Sequence, residues 1–353
     1  MHDLFSKDRP APARHPVHLV GTVPLGSTDA VFDLLAQTIA PLMPRIPDGE
    51  TGVRSYWVSS QARVLHESPL FEPDGHDWAP GREMPELGAP KYRLKAGVDP
   101  ATVEIGSFGY GAFAQESYAS FRAMKAEGRL PADARFQVGL PTPLGFYTAI
   151  VAPVSQADVA HAFEARMAQE LKDVMAAVPA DELAIQWDCC LEIFVWEGIR
   201  TLPVDDDRQE VIASMVRLGN LVPEPVQLGY HLCYGDFRHK HGVEPKDTAN
   251  MVTIANALTQ GVARAIDWIH MPVPRERNDD AYFAPLRDLA LRPETGLFLG
   301  LVHYTDGEEG TRRRMATAER FVASYGIATE CGLGRRDPTT IPDLLKIHAC
   351  CAD

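Results

Sequence analysis

The residues with the most chemical potential in this chain are His231-Leu232-Cys233 and, far downstream, Cys331 in Thr329-Glu330-Cys331-Gly332. Side chains alternate faces along a strand, so His231 and Cys233 point the same way if they share one. A second Cys arriving from a later strand completes a soft nitrogen and sulfur donor set, which suits tetrahedral Zn2+. Zinc held by thiolates with one position open binds an incoming thiol and keeps it deprotonated at neutral pH. The chemistry this set points to is transfer of a carbon group onto sulfur.

The elements needed to position such a set are legible as short β-rich runs alternating with long helical stretches, the pattern of a parallel sheet. Candidate strands are Val17–Val23, a run ending in Ile46-Pro47-Asp48-Gly49-Glu50, Arg135–Leu140, Leu183–Asp188, Gln227–Cys233, Asp267–Met271, Leu297–His303 and Ile327–Cys331. Strands in this number with helices between them predict an α/β fold, a (β/α)8 TIM barrel spanning 1–353 as one domain. Residues from about 55 to 130 interrupt the rhythm with Pro- and Gly-rich pieces, and predict an excursion after the second strand that forms a lid or a substrate wall. Within it, Gly106-Ser107-Phe108-Gly109-Tyr110-Gly111 lacks a following phosphate-binding Lys and reads as a hairpin or lid, not a nucleotide loop. The clearest helix opens at Ser155 as N-cap, with Asp158 as a capping-box acid and Val159, Phe163, Met167, Leu171 and Met175 as an apolar stripe. A second runs from Glu308 to Ser324, with Arg312, Arg313 and Arg314 in its first turns.

Strand after strand ends in a chemical group: Glu50, Asp188, His231 with Cys233, His270, His303 and Cys331. In a barrel of this kind the active site sits at the C-terminal face of the strands, where these residues would gather. Each also has an ordinary structural reading. Asp188 is a pocket carboxylate or the N-cap of the next helix. Glu50 follows a turn-like Pro-Asp-Gly and is a pocket acid or half of a loop ion pair. His303 is a proton shuttle or a structural histidine. His239 and His241 form His-x-His in a charged loop and read as solvent-exposed, with a second metal or a lid contact as the alternative. Cys189 and Cys190 read as strand-end packing, and Cys350 and Cys351 as free thiols in the tail.

Composition narrows the partners. The chain has 353 residues, 45% hydrophobic and 23% charged, enough for one large barrel or two ordinary domains. A net charge of -14 argues against nucleic acid or an anionic membrane as partner. The sequence has no apolar run long enough to span a bilayer and no signal-peptide stretch at its start. Six cysteines in a chain of this length, two pairs of them adjacent, are not a disulfide framework and point to the reducing cytoplasm.

With these residues in view, the chain resembles the catalytic C-terminal barrel of cobalamin-independent methionine synthase, within the wider superfamily that includes uroporphyrinogen decarboxylase. Val20-Gly21-Thr22-Val23-Pro24 is similar to that family's Ile-Gly-Ser-Phe-Pro on the first strand. Ile185-Gln186-Trp187-Asp188 is similar to its Ile-Gln-Ile-Asp, whose Asp holds the substrate amino group. Tyr230-His231-Leu232-Cys233-Tyr234 is similar to its His-Met-Cys-Tyr, which supplies two zinc ligands, and Glu330-Cys331-Gly332-Leu333-Gly334-Arg335 to its Asp-Cys-Gly-Leu-Lys-Thr-Arg, which supplies a third. Asp48-Gly49-Glu50 is a looser match to its His-Gly-Glu. The resemblance covers most of residues 15–340 with the excursion unmatched.

The chain departs from the family in two places. The remaining zinc ligand of the family is a Glu on the strand after His-x-Cys. Here Pro272 falls near that position and cannot bind a metal, which leaves His270, two residues earlier on the same face, as the candidate fourth ligand. Phe237-Arg238-His239-Lys240-His241 is inserted just after the Cys strand. The resemblance implies a zinc-dependent alkyl transferase, most simply a methyltransferase, acting on a small-molecule thiol with a separate alkyl donor. Asp188 and Glu50 would bind the substrate and His303 would manage a proton. The alternative keeps the barrel and makes it a lyase or decarboxylase of a small organic acid. A non-catalytic metal or thiol sensor is the third reading.

Overall fold

A computed structural model describes residues 14–75, 90–202, 204–236 and 240–353 of the chain. Eight strands form one parallel sheet: β1 (Val17–His18), β2 (Arg45–Pro47), β5 (Arg135–Pro141), β6 (Leu183–Cys189), β7 (Gln227–Leu232), β8 (Trp268–Pro272), β9 (Gly296–Gly300) and β10 (Gly326–Ala328). Their order, β1-β10-β9-β8-β7-β6-β5-β2, places β1 and β2 at the two edges. Just beyond those edges the Val23 amide donates to the Gly49 carbonyl at 2.8 Å and draws the sheet round into a (β/α)8 barrel. Between β2 and β5, β3 (Phe71–Pro73) pairs antiparallel with β4 (Tyr92–Leu94) in a separate hairpin.

All eight strands expected from the sequence are present, and the first is much shorter than its apolar run suggests. Residues 19 and 20 leave the ladder because their carbonyls are taken from inside the barrel. Gln137 Nε2 donates to the Leu19 and Val20 carbonyls at 2.9 Å, and Gln186 Nε2 donates to the Val20 carbonyl at 2.7 Å. Both glutamines are buried. A buried amide that satisfies a backbone carbonyl substitutes for the ladder bond that carbonyl would otherwise accept.

The excursion is narrower than 55–130. It holds a kinked 3-10 segment (Gly52–Gln61), a short helix (Ala62–Glu67) and the β3–β4 hairpin, whereas the helix Tyr110–Ala126 packs beside helices Thr28–Gln37 and Pro153–Ala177 in the outer ring. Phe121 of that helix, fully buried, meets Phe32 and Phe136. The Gly106–Gly111 run is neither hairpin nor lid. Buried Glu170 accepts from the amides of Phe108 and Tyr110 and from the Ser107 hydroxyl, which anchors the run as the entry to this helix.

The long helix Pro153–Ala177 begins two residues before the expected cap, with Pro153 in its first turn. The Ser155 hydroxyl is instead used by the hairpin and accepts from the Leu94 amide at 3.0 Å. The expected stripe faces inward, with Val159, Phe163, Met167 and Leu171 buried. The second expected helix runs over Gly307–Ala318. There Arg312 and Arg313 form exposed i,i+4 pairs with Glu308 and Glu309, while Arg314 is buried against Asp306. Among the described residues, no helix is long and apolar enough to cross a membrane.

Candidate active site

The parallel register sets the site. Asp188 on β6 lies opposite His231 on β7, and His231 lies opposite His270 on β8. Three polar side chains therefore stand side by side on one face at the C-terminal end of the sheet, a row that no local pattern reveals. Cys233 follows just past the end of β7, and its amide donates to the Cys189 carbonyl at 3.1 Å, which extends the register by one step. Cys331 follows β10 in a loop tied to the end of β1. The Leu333 amide donates to the Thr22 carbonyl at 2.7 Å and the Gly334 amide to Thr22 Oγ1 at 3.1 Å.

His231, Cys233 and Cys331 come together, with one donor atom from each lying within 4.8 Å of the others. The two sulfurs are 3.6 Å apart and both cysteines are free thiols. Two thiolates on one tetrahedral zinc, each about 2.3 Å from the metal, stand about 3.8 Å apart, so the spacing fits. The hydrogen bonds of the histidines also fit. His270 Nε2 lies 3.0 Å from the Thr329 carbonyl, which can only accept, so Nε2 carries the hydrogen. Burial lowers the His270 pKa to about 3, so the ring is neutral and its Nδ1 is an acceptor. His231 Nδ1, 2.6 Å from His270 Nδ1, must then be the donor. That leaves a bare lone pair on His231 Nε2, a buried atom with no hydrogen-bond partner. A buried imidazole nitrogen in this state has the lone pair that a metal ligand needs, so the donor set fits a zinc ion.

His270 does not join the three. Both of its ring nitrogens are committed, one to His231 and one to Thr329. Its ring lies against His231, outside the group of three donors. His303 also departs from the expected position. It is buried, its Nε2 is 2.9 Å from the Val273 carbonyl, and its Nδ1 is 3.5 Å from Glu330 Oε2. It does not line the cavity described below. Burial and Arg314 lower its pKa to about 3, so it is a neutral, carbonyl-anchored ring that backs Glu330.

A cavity of about 610 Å3 opens over the cluster, and its wall includes His231, Cys233, Cys331, Glu50 and Asp188. Glu50 reaches it from a backbone of φ 45, directly after Gly49 at φ 82. Asp48 holds this turn, its Oδ1 accepting from the Glu50 amide and its Oδ2 pairing with Arg54, both at 2.8 Å. The loop ion pair is thus made by Asp48, and the Glu50 carboxylate is left for the cavity. Glu50 and Asp188 converge on Gly139. A Cβ added there would sit 2.8 Å from Glu50 Oε1 and 3.3 Å from Asp188 Oδ2, so a side chain at this position would push the Glu50 carboxylate aside.

The shared location is visible in the proton affinities. Burial first, and then Asp188, raises Glu50 well above the usual carboxylate range. Burial raises Asp188 to about 7, against hydrogen bonds from Gln186 and the Trp57 side chain. Burial and mutual repulsion thus favour the protonated form of these neighbouring acids where no cation neutralises them. The pair is therefore suited to receive an ammonium group.

Three participants, Gln186, Glu330 and Trp57, were not singled out from the sequence, and a fourth, Cys190, was expected as strand-end packing. Gln186 donates to Asp188 Oδ1 at 2.9 Å, and its position two residues before Asp188 on one strand was the available signal. Cys190, two residues beyond Asp188, lines the cavity and contacts Cys233, whereas Cys189 points away and remains packing. Glu330, adjacent to Cys331, lies 3.0 Å from His241. Trp57 had no signal at all. His241, expected in solvent, is drawn into the cavity wall: although burial alone would lower it, Glu330 and Glu244 raise its pKa to about 9. His239 lies outside the described residues. Cys350 is exposed and Cys351 is buried in the helix Ile341–Cys351.

No protein-family model matches the chain, and no curated protein matches it. Solved structures do. The structure of a B12-independent methionine synthase from Shewanella sp. W3-18-1 in complex with selenomethionine aligns with a TM-score of 0.59 and 15% identity over 96% of this chain and 97% of that chain. The fold is that of the methionine synthase barrel. A methyltransferase from Methanosarcina mazei aligns with a TM-score of 0.52 and 10% identity over 96% of this chain and 94% of its own.

Proposed function

We propose that this chain is an enzyme that transfers an alkyl group, most simply methyl, from a donor to the sulfur of a small thiol that also carries an amine. The observation that carries this reading is that one cavity is walled by both the His231–Cys233–Cys331 cluster and the Glu50–Asp188 pair. His231, Cys233 and Cys331 would hold zinc. When bound, zinc supplies a Lewis-acidic position at which a thiol is kept as thiolate.

The remaining work belongs to the chain itself. His270, anchored on the Thr329 carbonyl, keeps His231 in the tautomer whose Nε2 lone pair faces the cluster. Glu50 and Asp188 give up a proton to the medium as they take the ammonium of the substrate, and so fix its orientation. Gln186, which donates to both Asp188 and the Val20 carbonyl, locks the carboxylate in place. Glu330, held between His241 and His303, sits next to Cys331 as the acid that could carry a proton at the far side of the cluster.

The test begins with elemental analysis of protein purified without an affinity tag, followed by calorimetric titration with homocysteine, simpler aminothiols and thiols lacking an amine. About one equivalent of zinc is expected, lost in His231→Ala and Cys331→Ser, with aminothiols binding more tightly than plain thiols. Metal-replete protein that binds no thiol, yet turns over a carboxylic acid without sulfur, would make the lyase reading the correct one.

A further inference from the structure

Among the described residues, two non-glycine residues have positive φ, Glu50 at 45 and Trp57 at φ 52, ψ -137. The same two residues, and no others among the described residues, line both the main cavity and a second, smaller pocket. That smaller pocket has a volume of about 20 Å3, enough for one water. Its wall includes Asp48, Arg54, Gln61 and Tyr110. Tyr110 is buried and feels the charges of both Glu50 and Asp188. A bulky residue is rarely found at φ 52, ψ -137, and such conformations persist only where the surroundings impose them, most often at functional sites. Here the 3-10 segment Gly52–Gln61 is kinked at this residue, and Trp57 stands in the same cavity wall as Asp188, close enough for its side chain to lower the proton affinity of that carboxyl.

We propose that Trp57 is the specificity-determining partition of the cavity, whose indole sets how long the amine-bearing arm of the substrate can be. The proposal rests on the reading of Glu50 and Asp188 as an amine site. With the indole in place, the ammonium must stop at the carboxylate pair, and the polar pocket beyond admits only water. With the indole removed, the smaller pocket joins the main cavity, and a longer arm can carry its ammonium past Asp188 toward Tyr110 and Asp48. Trp57 is a positioning and size-selecting residue and takes no part in bond making.

The experiment measures affinity of zinc-replete protein for a series of ω-aminothiols that lengthens one methylene at a time, starting from cysteamine. Wild type is expected to show an optimum, with affinity falling about tenfold for each methylene beyond it, the usual penalty for one group too many in a closed pocket. Trp57→Ala and Trp57→Gly are expected to move the optimum to longer arms. Trp57→Phe keeps a ring but loses the indole N–H, and is expected to keep the wild-type order with weaker binding throughout. Metal content and thermal melting identify any variant that fails to fold, and Trp57→Gly, which relieves the backbone, guards against that outcome. An unchanged optimum in folded Trp57→Ala and Trp57→Gly overturns the partition while leaving the amine site standing. Wild type that binds plain thiols as tightly as aminothiols overturns the amine site, and the partition with it. Binding of no thiol of any kind removes the alkyl-transfer reading and both of its dependents.

Discussion

His231 and His270 have the same residue type and occupy adjacent positions in the sheet, yet the carbonyl of Thr329 gives them different work. It anchors one ring, and the anchored ring leaves a lone pair on the other. The prediction is graded. His231→Ala should abolish zinc retention, whereas His270→Ala should weaken zinc affinity by about 10–100-fold, the usual effect of losing an outer-shell partner. Competition with a chromophoric chelator measures both, and equal losses in the two variants would make His270 a direct ligand after all. Asp188→Asn should behave differently, with zinc retained and affinity for an aminothiol falling by about 1.5–3 kcal/mol, the range for a hydrogen bond to a charged group. Titration calorimetry on the zinc-loaded variant reads it, and an unchanged affinity would remove Asp188 from the substrate site.

At the scale of elements, the non-glycine residues with positive φ among the described residues, Glu50 and Trp57, both stand in the cavity wall. Gly139 on β5 is the point where Glu50 and Asp188 approach each other. Gly139→Ala should therefore separate the two acids without disturbing the His231–Cys233–Cys331 cluster, with aminothiol binding reduced and zinc content intact. In the kinked segment, Trp57→Ala and Trp57→Gly remove the same indole, but only Ala keeps a Cβ at φ 52. The Gly variant should be the more stable of the two by about 1 kcal/mol or more, because positive φ penalises a Cβ and not a glycine. Urea denaturation of the two proteins side by side checks this, and Ala equal to Gly would mean that the kink carries no strain.

For the molecule as a whole, the buried ionisable groups act on stability in opposite directions. Asp188 and Glu192, both raised by burial to about 7, keep protons in the folded state that an unfolded chain releases from about 4 upward. The folded state then binds more protons than the unfolded one, so these acids make stability fall as pH rises from about 4 to 7. His303, lowered to about 3 by burial and by Arg314, does the reverse. The unfolded chain takes up a proton near 6.5 that the folded one refuses, so its contribution is lost as pH falls from about 6.5 to 3. Metal-free wild type should show a shallow pH profile across this range. Asp188→Asn combined with Glu192→Gln should unmask a stability that climbs with pH, by an amount on the order of 2–4 kcal/mol per acid removed. Denaturant midpoints at pH 4, 5.5 and 7, on the order chosen to bracket those windows, measure it, and a double variant with the wild-type profile would contradict the buried-acid account.

Much of this molecule is decided locally and is legible without coordinates. The barrel follows from apolar runs at regular spacing, because each run must be buried and parallel strands need helical crossovers between them. The gathering of Glu50, Asp188, His231, Cys233 and Cys331 follows from their places at strand ends, because a barrel brings all such ends to one rim. What the sequence leaves open is whatever depends on which side chain faces which across the rim. Pro272 and His270 share one face of β8, but only the opposition of His231 and the nearness of the Thr329 carbonyl give both ring nitrogens of His270 a partner. His303 carries no local mark that distinguishes a cavity histidine from one tied to a carbonyl behind it, and His241 none that distinguishes a solvated ring from one captured by Glu330. Trp57 is invisible for a related reason. Its role comes from a backbone angle and from two cavities that meet at its ring, and both arise only when segments distant in the chain close around it.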